Sequence, residues 1–160
     1  MKRIFTSLTL GTALLMINGC AVAPPTYDQV RTETDDVLRH VADLVAEPKT
    51  VEPNQEFDPY PCDDPLTLGG RKGSFYTGQW LVFVDENFDI PAFIEKFPEA
   101  LDEGWRTAKL GVPVHHPLVY LIRDSPRMSL TIEESTFEGR KAVELLAISR
   151  CGTLAESPAP

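Results

Sequence analysis

The chain has 160 residues, 42% of them apolar, and carries 15 Lys and Arg against 24 Asp and Glu, a formal net charge of −9. That length suits one domain with a modest core. A surface this acidic repels nucleic acid and anionic headgroups, which sets DNA and RNA aside as partners and leaves a membrane to be met through an anchor, not a basic face.

Lys2 and Arg3, the apolar residues 4–17 and the small Gly19 read as the n-region, h-region and cleavage zone of a secretory signal. The apolar run is shorter than the about 20 residues a membrane-spanning helix needs. Ala21-Val22-Ala23 offers one cleavage site, but a cut there leaves Pro24 directly after the scissile bond, where it has no N–H to offer. Ile17-Asn18-Gly19-Cys20 resembles a bacterial lipobox, with Ile17 and Gly19 at the branched-apolar and small positions and Asn18 departing from the pattern. On this reading residues 1–19 are a lipoprotein signal peptide, Cys20 is the lipidated first residue and residues 20–25 are a short tether. Each buried CH₂ contributes about 0.8 kcal/mol, so two or three acyl chains hold such a protein on its membrane. Cleavage also removes two bases and no acid, which takes the net charge to −11.

Cys62 and Cys151 remain, an even pair in an exported chain. A disulfide between them closes most of the domain into one loop, which the chain-entropy model values at about 4 to 5 kcal/mol. The alternatives are two free thiols or a zinc site, the latter without any C-x-x-C or histidine partner spacing nearby.

Thr26-Tyr27-Asp28-Gln29 has the form of a capping box. Val30, Val37, Leu38, Val41, Leu44 and Val45 then recur at helical spacing, predicting an amphipathic helix over residues 27–47 that Pro48 stops. Residues 48–65 carry five prolines and predict an extended connector, followed by the turn-rich LGGRKGS. SFYTGQWLVFV predicts a strand ending at Asp85-Glu86. A second helix is expected from Asp89 as N-cap, with Pro91 in its first turn, Phe88 and Phe93 as a hydrophobic staple, a kink at Pro98 and Gly104 as its terminator. Beyond Trp105 the pattern turns to strands. LVYLIRD (118–124) reads as a central strand, and Met128, Leu130 and Ile132 alternate with polar residues as a half-exposed one. Residues 134–140 read as a loop, 141–151 as a last strand, and 152–160 as a loose tail.

The order helix, strand, helix, strand, strand, strand predicts one α+β domain over residues 26–151. Its economical form is an antiparallel sheet of about four strands with two helices packed on one face. Assembled in this way, the lipobox cysteine, the early helix, the Pro-rich YPC, the aromatic strand, a helix ending in EGW and a last strand ending in SRCG resemble the small lipoproteins of mycobacteria and related actinobacteria of the LppA-like kind. That resemblance implies a lipid anchor, a Cys62–Cys151 bridge and an α+β domain, and no particular activity.

His115-His116 is the one local histidine cluster. Pro113 and Pro117 place it in a loop, from which both rings could reach one ion, but no acidic or cysteine ligand lies at short spacing. His40, beside Arg39 on the first helix, reads as solvated. The acidic pairs Asp35-Asp36, Asp63-Asp64, Asp85-Glu86, Asp102-Glu103 and Glu133-Glu134 do not match a calcium loop. Nor does sequence adjacency place two carboxylates face to face for glycoside chemistry. GGRKGS lacks phosphate-loop spacing, and no G-x-S-x-G elbow is present. Trp80, Trp105 and Tyr76 are candidates for a binding patch, because a single layer of helices leaves the other sheet face bare. The expectation is therefore a membrane-held envelope lipoprotein without catalytic, cofactor or metal residues, binding an envelope component that the sequence does not identify. The alternatives are a small exported hydrolase or metal-binding protein using His115 and His116, and an immunity-type surface lipoprotein.

Overall fold

The computed structural model describes residues 23–54, 56–62 and 73–154. The expected signal segment, Cys20, Asp63-Asp64, most of GGRKGS and residues 155–160 lie outside the described residues. Helix α1 (Tyr27–Leu44) opens on the expected capping box. The Thr26 hydroxyl accepts from the Gln29 N–H, and the Gln29 side chain accepts from the Thr26 N–H. Val30, Leu38 and Val41 are fully buried along one stripe. The helix stops three residues before the expected end, and Leu44, predicted on the apolar stripe, is exposed there. Lys49 caps that end, its ammonium donating to the carbonyls of Asp43 and Val45 at 3.2 and 2.7 Å.

Four strands follow before the second helix: β1 (Lys49–Pro53), β2 (Tyr60–Pro61), β3 (Ser74–Phe75) and β4 (Thr77–Val84). Helix α2 (Ile90–Lys96) is capped by the Asp89 carboxylate, which accepts from Ala92 N–H at 3.0 Å, and is stapled by Phe88 against Phe93, ring centroids 5.7 Å apart. It passes into a 3₁₀ turn at Phe97–Ala100, because Pro98 has no N–H to continue the α ladder. Gly104, at φ +108°, does not end the helix; it turns the chain into β5 (Trp105–Thr107). The remaining strands are β6 (Leu118–Asp124), β7 (Arg127–Phe137) and β8 (Arg140–Ile148). The loop expected over 134–140 contracts to Glu138-Gly139. Both residues lie at positive φ, 51° and 77°, the conformation that suits a two-residue hairpin between twisted strands.

The fold is α+β with both helices on one face, as expected, but the main sheet has six antiparallel strands in the order β1-β4-β8-β7-β6-β5 rather than four. The order of elements differs accordingly, since α1 is separated from α2 by four strands and not one. Both additional strands are edges. β1 ends at Pro53 and pairs only with β4, where a missing N–H disturbs no ladder. β5 is three residues long, too short to show a period.

Strand alternation sorts the sheet into two faces. Val82, Val143, Leu145, Ala147, Leu130 and Leu121 point under the helices and form the main core with Leu38, Val41, Ile90 and Phe97. Among the described residues no helix covers the opposite face. At its β1–β4–β8 end, Leu81, Phe83 and Ala142 are nevertheless buried. There the Arg140 guanidinium lies 3.5 Å from the Phe83 ring centroid and forks onto Glu52 at 3.2 and 3.5 Å. At the other end, Leu118, Tyr120, Ile122 and Leu146 stay half-buried and Ile148 is exposed.

Candidate functional site

The expected disulfide is present. Cys62 and Cys151 are bonded, with Cα atoms 6.0 Å apart and a sequence separation of 89. It ties a two-stranded ribbon of β2 and β3 to the segment that follows β8. That segment is held on both sides by main chain. Ser74 and Gly152 exchange N–H···O bonds of 2.8 and 2.9 Å, Tyr27 N–H donates to Thr153 O, and Thr153 N–H donates to Pro25 O, both at 2.9 Å. The residues just before α1 are thus fixed against the disulfide.

Between this clasp and the β6–β7 turn, at one end of the helix-free face, lies a cleft of about 970 Å³. Its apolar surface is Tyr120 and Ile122 from β6, Ile148 from β8 and Phe75 from β3, with Pro25 and the disulfide forming one wall. Five cations line it, Arg106, Lys109, Arg123, Arg127 and Arg150, against the single carboxylate of Asp124. A third of the chain's 15 basic residues therefore converge on one cleft of an acidic protein. Arg106 sits 3.4 Å from Asp124, and the Arg150 Nη2 donates to both carboxylate oxygens of Glu33 of α1, at 2.7 and 3.0 Å. Lys109, Arg123 and Arg127 have no carboxylate within ion-pair distance among the described residues. Arg123 stacks over Trp105, 4.8 Å from the ring centroid, and donates to the Pro126 carbonyl at 3.3 Å. Burial lowers its guanidinium pKa from the ordinary value, opposed by Glu33 and Asp102. The Nε of Arg150 is buried with no hydrogen-bond partner. A shallower groove continues from Pro25 and Arg150 to Ala23 and the first turns of α1.

Ser149 also lines the cleft, but its hydroxyl accepts from Tyr76 N–H at 2.8 Å and donates to Arg150 O at 2.7 Å, so it serves the backbone. The proposed patch residues do not share the bare face. Trp80 and Trp105 pack half-buried against the helix-side core, and Tyr76 is buried beside α1. His115 and His116 are both exposed in the loop before β6. The fold brings Glu133 to His116, Nε2 to Oε2 2.5 Å, a pairing 17 residues apart that local spacing could not reveal. Glu144 stands directly opposite Glu133 across β7 and β8 and takes a hydrogen bond from Gln79. This row lies at the far end of β6 from the β6–β7 turn. Among the described residues no three His, Cys, Asp or Glu side chains come together as a metal site, and no helix is long and apolar enough to cross a membrane. His40 is exposed on α1.

A second polar cluster locks α1 to the connector. Tyr76 donates to Asp35 at 2.7 Å, Tyr27 donates to Glu56 at 3.1 Å, and Arg31 pairs with Glu56 at 2.9 Å. Burial first, then these carboxylates, pushes the Tyr27 hydroxyl up to about 12 and the Tyr76 hydroxyl up as well. The folded chain therefore keeps both phenolic protons at a pH where the unfolded chain, with ordinary values of 10.0, has begun to release them. Stability is complete below pH 10 and falls as pH rises from about 10 toward 12. Urea unfolding should show this alkaline fall, and Tyr27→Phe/Tyr76→Phe should flatten it while costing about 1 kcal/mol per lost hydrogen bond at neutral pH. An equal alkaline fall in the double variant would assign it to other groups.

Fold and site together define an α+β domain with a one-sided antiparallel sheet and a basic cleft beside its disulfide. No protein-family model matches the chain, and no curated protein or solved structure matches it.

The cleft's five cations escaped sequence reading because they come from four separate stretches spread between Arg106 and Arg150. The one available signal was Arg123, a charge that closes the apolar run LVYLI while still within the strand.

Proposed function

We propose that this chain is an exported lipoprotein, held on the bacterial cell envelope by lipid at Cys20, whose disulfide-stapled domain binds another envelope component and carries out no catalysis. The observation that carries this reading is the Cys62–Cys151 bridge. It belongs in an oxidising compartment, and it leaves Cys20, at the end of the apolar leader, as the odd cysteine available for lipid. The binding role is supported by the cleft, whose guanidinium and ammonium groups hold charge at neutral pH and serve recognition better than proton transfer. The backbone-committed hydroxyl of Ser149 and the exposure of His115 and His116 support the non-catalytic part.

Detergent phase partitioning tests the anchor. The wild-type chain is expected in the detergent phase with a diacylglycerol mass on its N-terminal peptide. Cys20→Ala is expected either uncleaved or released to the aqueous phase. A cleaved Cys20→Ala chain that still enters the detergent phase would remove the lipoprotein reading.

A further inference from the structure

We infer that the basic cleft is a receptor for the phosphate headgroup of an anionic phospholipid, taken from the membrane to which the chain is anchored; its membrane source rests on the lipoprotein reading above. Four observations converge on that chemistry. Charge is concentrated where the fold does not use it. Lys109 and Arg127 have no carboxylate partner among the described residues, whereas Arg31, Arg39 and Arg140 elsewhere are paired. Arg127 brings an exposed guanidinium whose forked donors match phosphate oxygens in a bidentate manner, and the Arg150 Nε is a buried donor without an acceptor among the described residues.

The cleft is also amphiphilic. Tyr120, Ile122, Ile148 and Phe75 provide an apolar surface next to the cations, suited to the glycerol and first methylenes of a lipid, whereas a free phosphate would use only the charged rim. Ile148 is 39% exposed, high for a large apolar residue in a strand. Its position relative to the anchor is the fourth observation. Pro25 forms part of the wall and stands five positions after Cys20, so the cleft lies within about 18 Å of the lipidated residue even with the tether fully extended. Headgroups of the same leaflet are then present at high local concentration, and the net negative charge of the remaining surface turns this end toward them.

The test uses the full chain purified in an uncharged detergent and titrated calorimetrically with dihexanoyl phosphatidylglycerol, dihexanoyl phosphatidylcholine and glycerol phosphate. Phosphatidylglycerol should bind at least tenfold more tightly than either of the others, and its affinity should fall with added salt. Lys109→Glu/Arg127→Glu should weaken it by at least tenfold with an unchanged near-ultraviolet circular dichroism spectrum, while Arg39→Glu, on the exposed side of α1, should leave it as it is. Should the charge-reversed pair not fold, Arg127→Gln alone should still lower the affinity severalfold. Equal binding of phosphatidylcholine, salt-independent binding, or undiminished binding by a folded cleft variant would overturn the inference. Glycerol phosphate binding as tightly as the lipid would overturn its lipid source. The intact mass of the same preparation shows whether Cys20 is lipidated, so an unlipidated protein that binds, or a lipidated one that does not, separates the two proposals.

Discussion

Removing the disulfide as Cys62→Ala/Cys151→Ala is expected to lower the unfolding free energy by about 4 to 5 kcal/mol, from the chain entropy of a loop of this size. The bond spans 89 residues and closes a loop that holds every element from β3 to β8, so its removal frees that whole stretch in the unfolded ensemble. A domain of this size has a total stability of about 5 to 15 kcal/mol, so the variant should sit close to its unfolding threshold at growth temperature. The folded state loses a fixed wall as well. Cys62 is fully buried, and the β2–β3 ribbon is only two residue pairs long. Without the bridge that ribbon has few main-chain bonds to keep it beside residues 151–153, and phospholipid binding should weaken with it. Urea unfolding of the variant, and of the wild-type chain under reductant, should give matching losses. A variant that unfolds within about 1 kcal/mol of the oxidised wild type would show that the bridge does not cross-link the unfolded chain productively.

What was legible in the sequence were features whose cause is local. The capping box of Thr26 and Gln29, the Asp89 cap, the Phe88–Phe93 staple and β6 over Leu118–Asp124 each follow from residues within one or two turns or a single strand, and each formed as read. The edge strands were hidden for a physical reason. β1 lies between Pro48 and Pro53 and shows its pairing only through Val51 opposite Val82, while β5 offers three residues and no alternation. The Cys62–Cys151 pair was readable once Cys20 was set aside as the expected lipid site, which left two cysteines in an exported chain. The cleft was not, because net charge reports a sum and not a position. The acidic total of −9 led to the expectation of a surface without a basic face, and the fold then gathered Arg106, Lys109, Arg123, Arg127 and Arg150 at one end. The aromatics named for a patch, Trp80, Trp105 and Tyr76, are not gathered on the bare face. Trp80 is on the register that faces the helices, since it pairs with Leu145 in the core row, and alternation is set only once the pairing of β4 with β8 is known.

Gly152→Ala is expected to cost about 3 kcal/mol, the upper end of overpacking penalties, although it adds a single methyl group. A Cβ at position 152 would stand 2.8 Å from the Tyr27 Cα, 2.8 Å from a Val30 methyl and 2.9 Å from the Thr26 carbonyl oxygen. Two of those three atoms are backbone at the start of α1 and cannot rotate away. The chain would have to part from α1, and with it would go the bonds from Tyr27 N–H to Thr153 and from Thr153 N–H to Pro25. Gly111 supplies the internal control, because a Cβ there meets nothing within 4 Å, and Gly111→Ala should change stability by no more than about 0.5 kcal/mol. The loss at Gly152 should also be directional. Hydrogen exchange at Tyr27 and Thr153 should accelerate before exchange in β7 and β8, because the clasp opens without the central strands. Pro25 leaves the cleft wall when the clasp opens. The variant should therefore loosen the link between the tether and the cleft, and phosphatidylglycerol affinity should fall together with clasp protection. Uniform acceleration across the whole sheet would instead mean that the clasp and the core unfold as one unit.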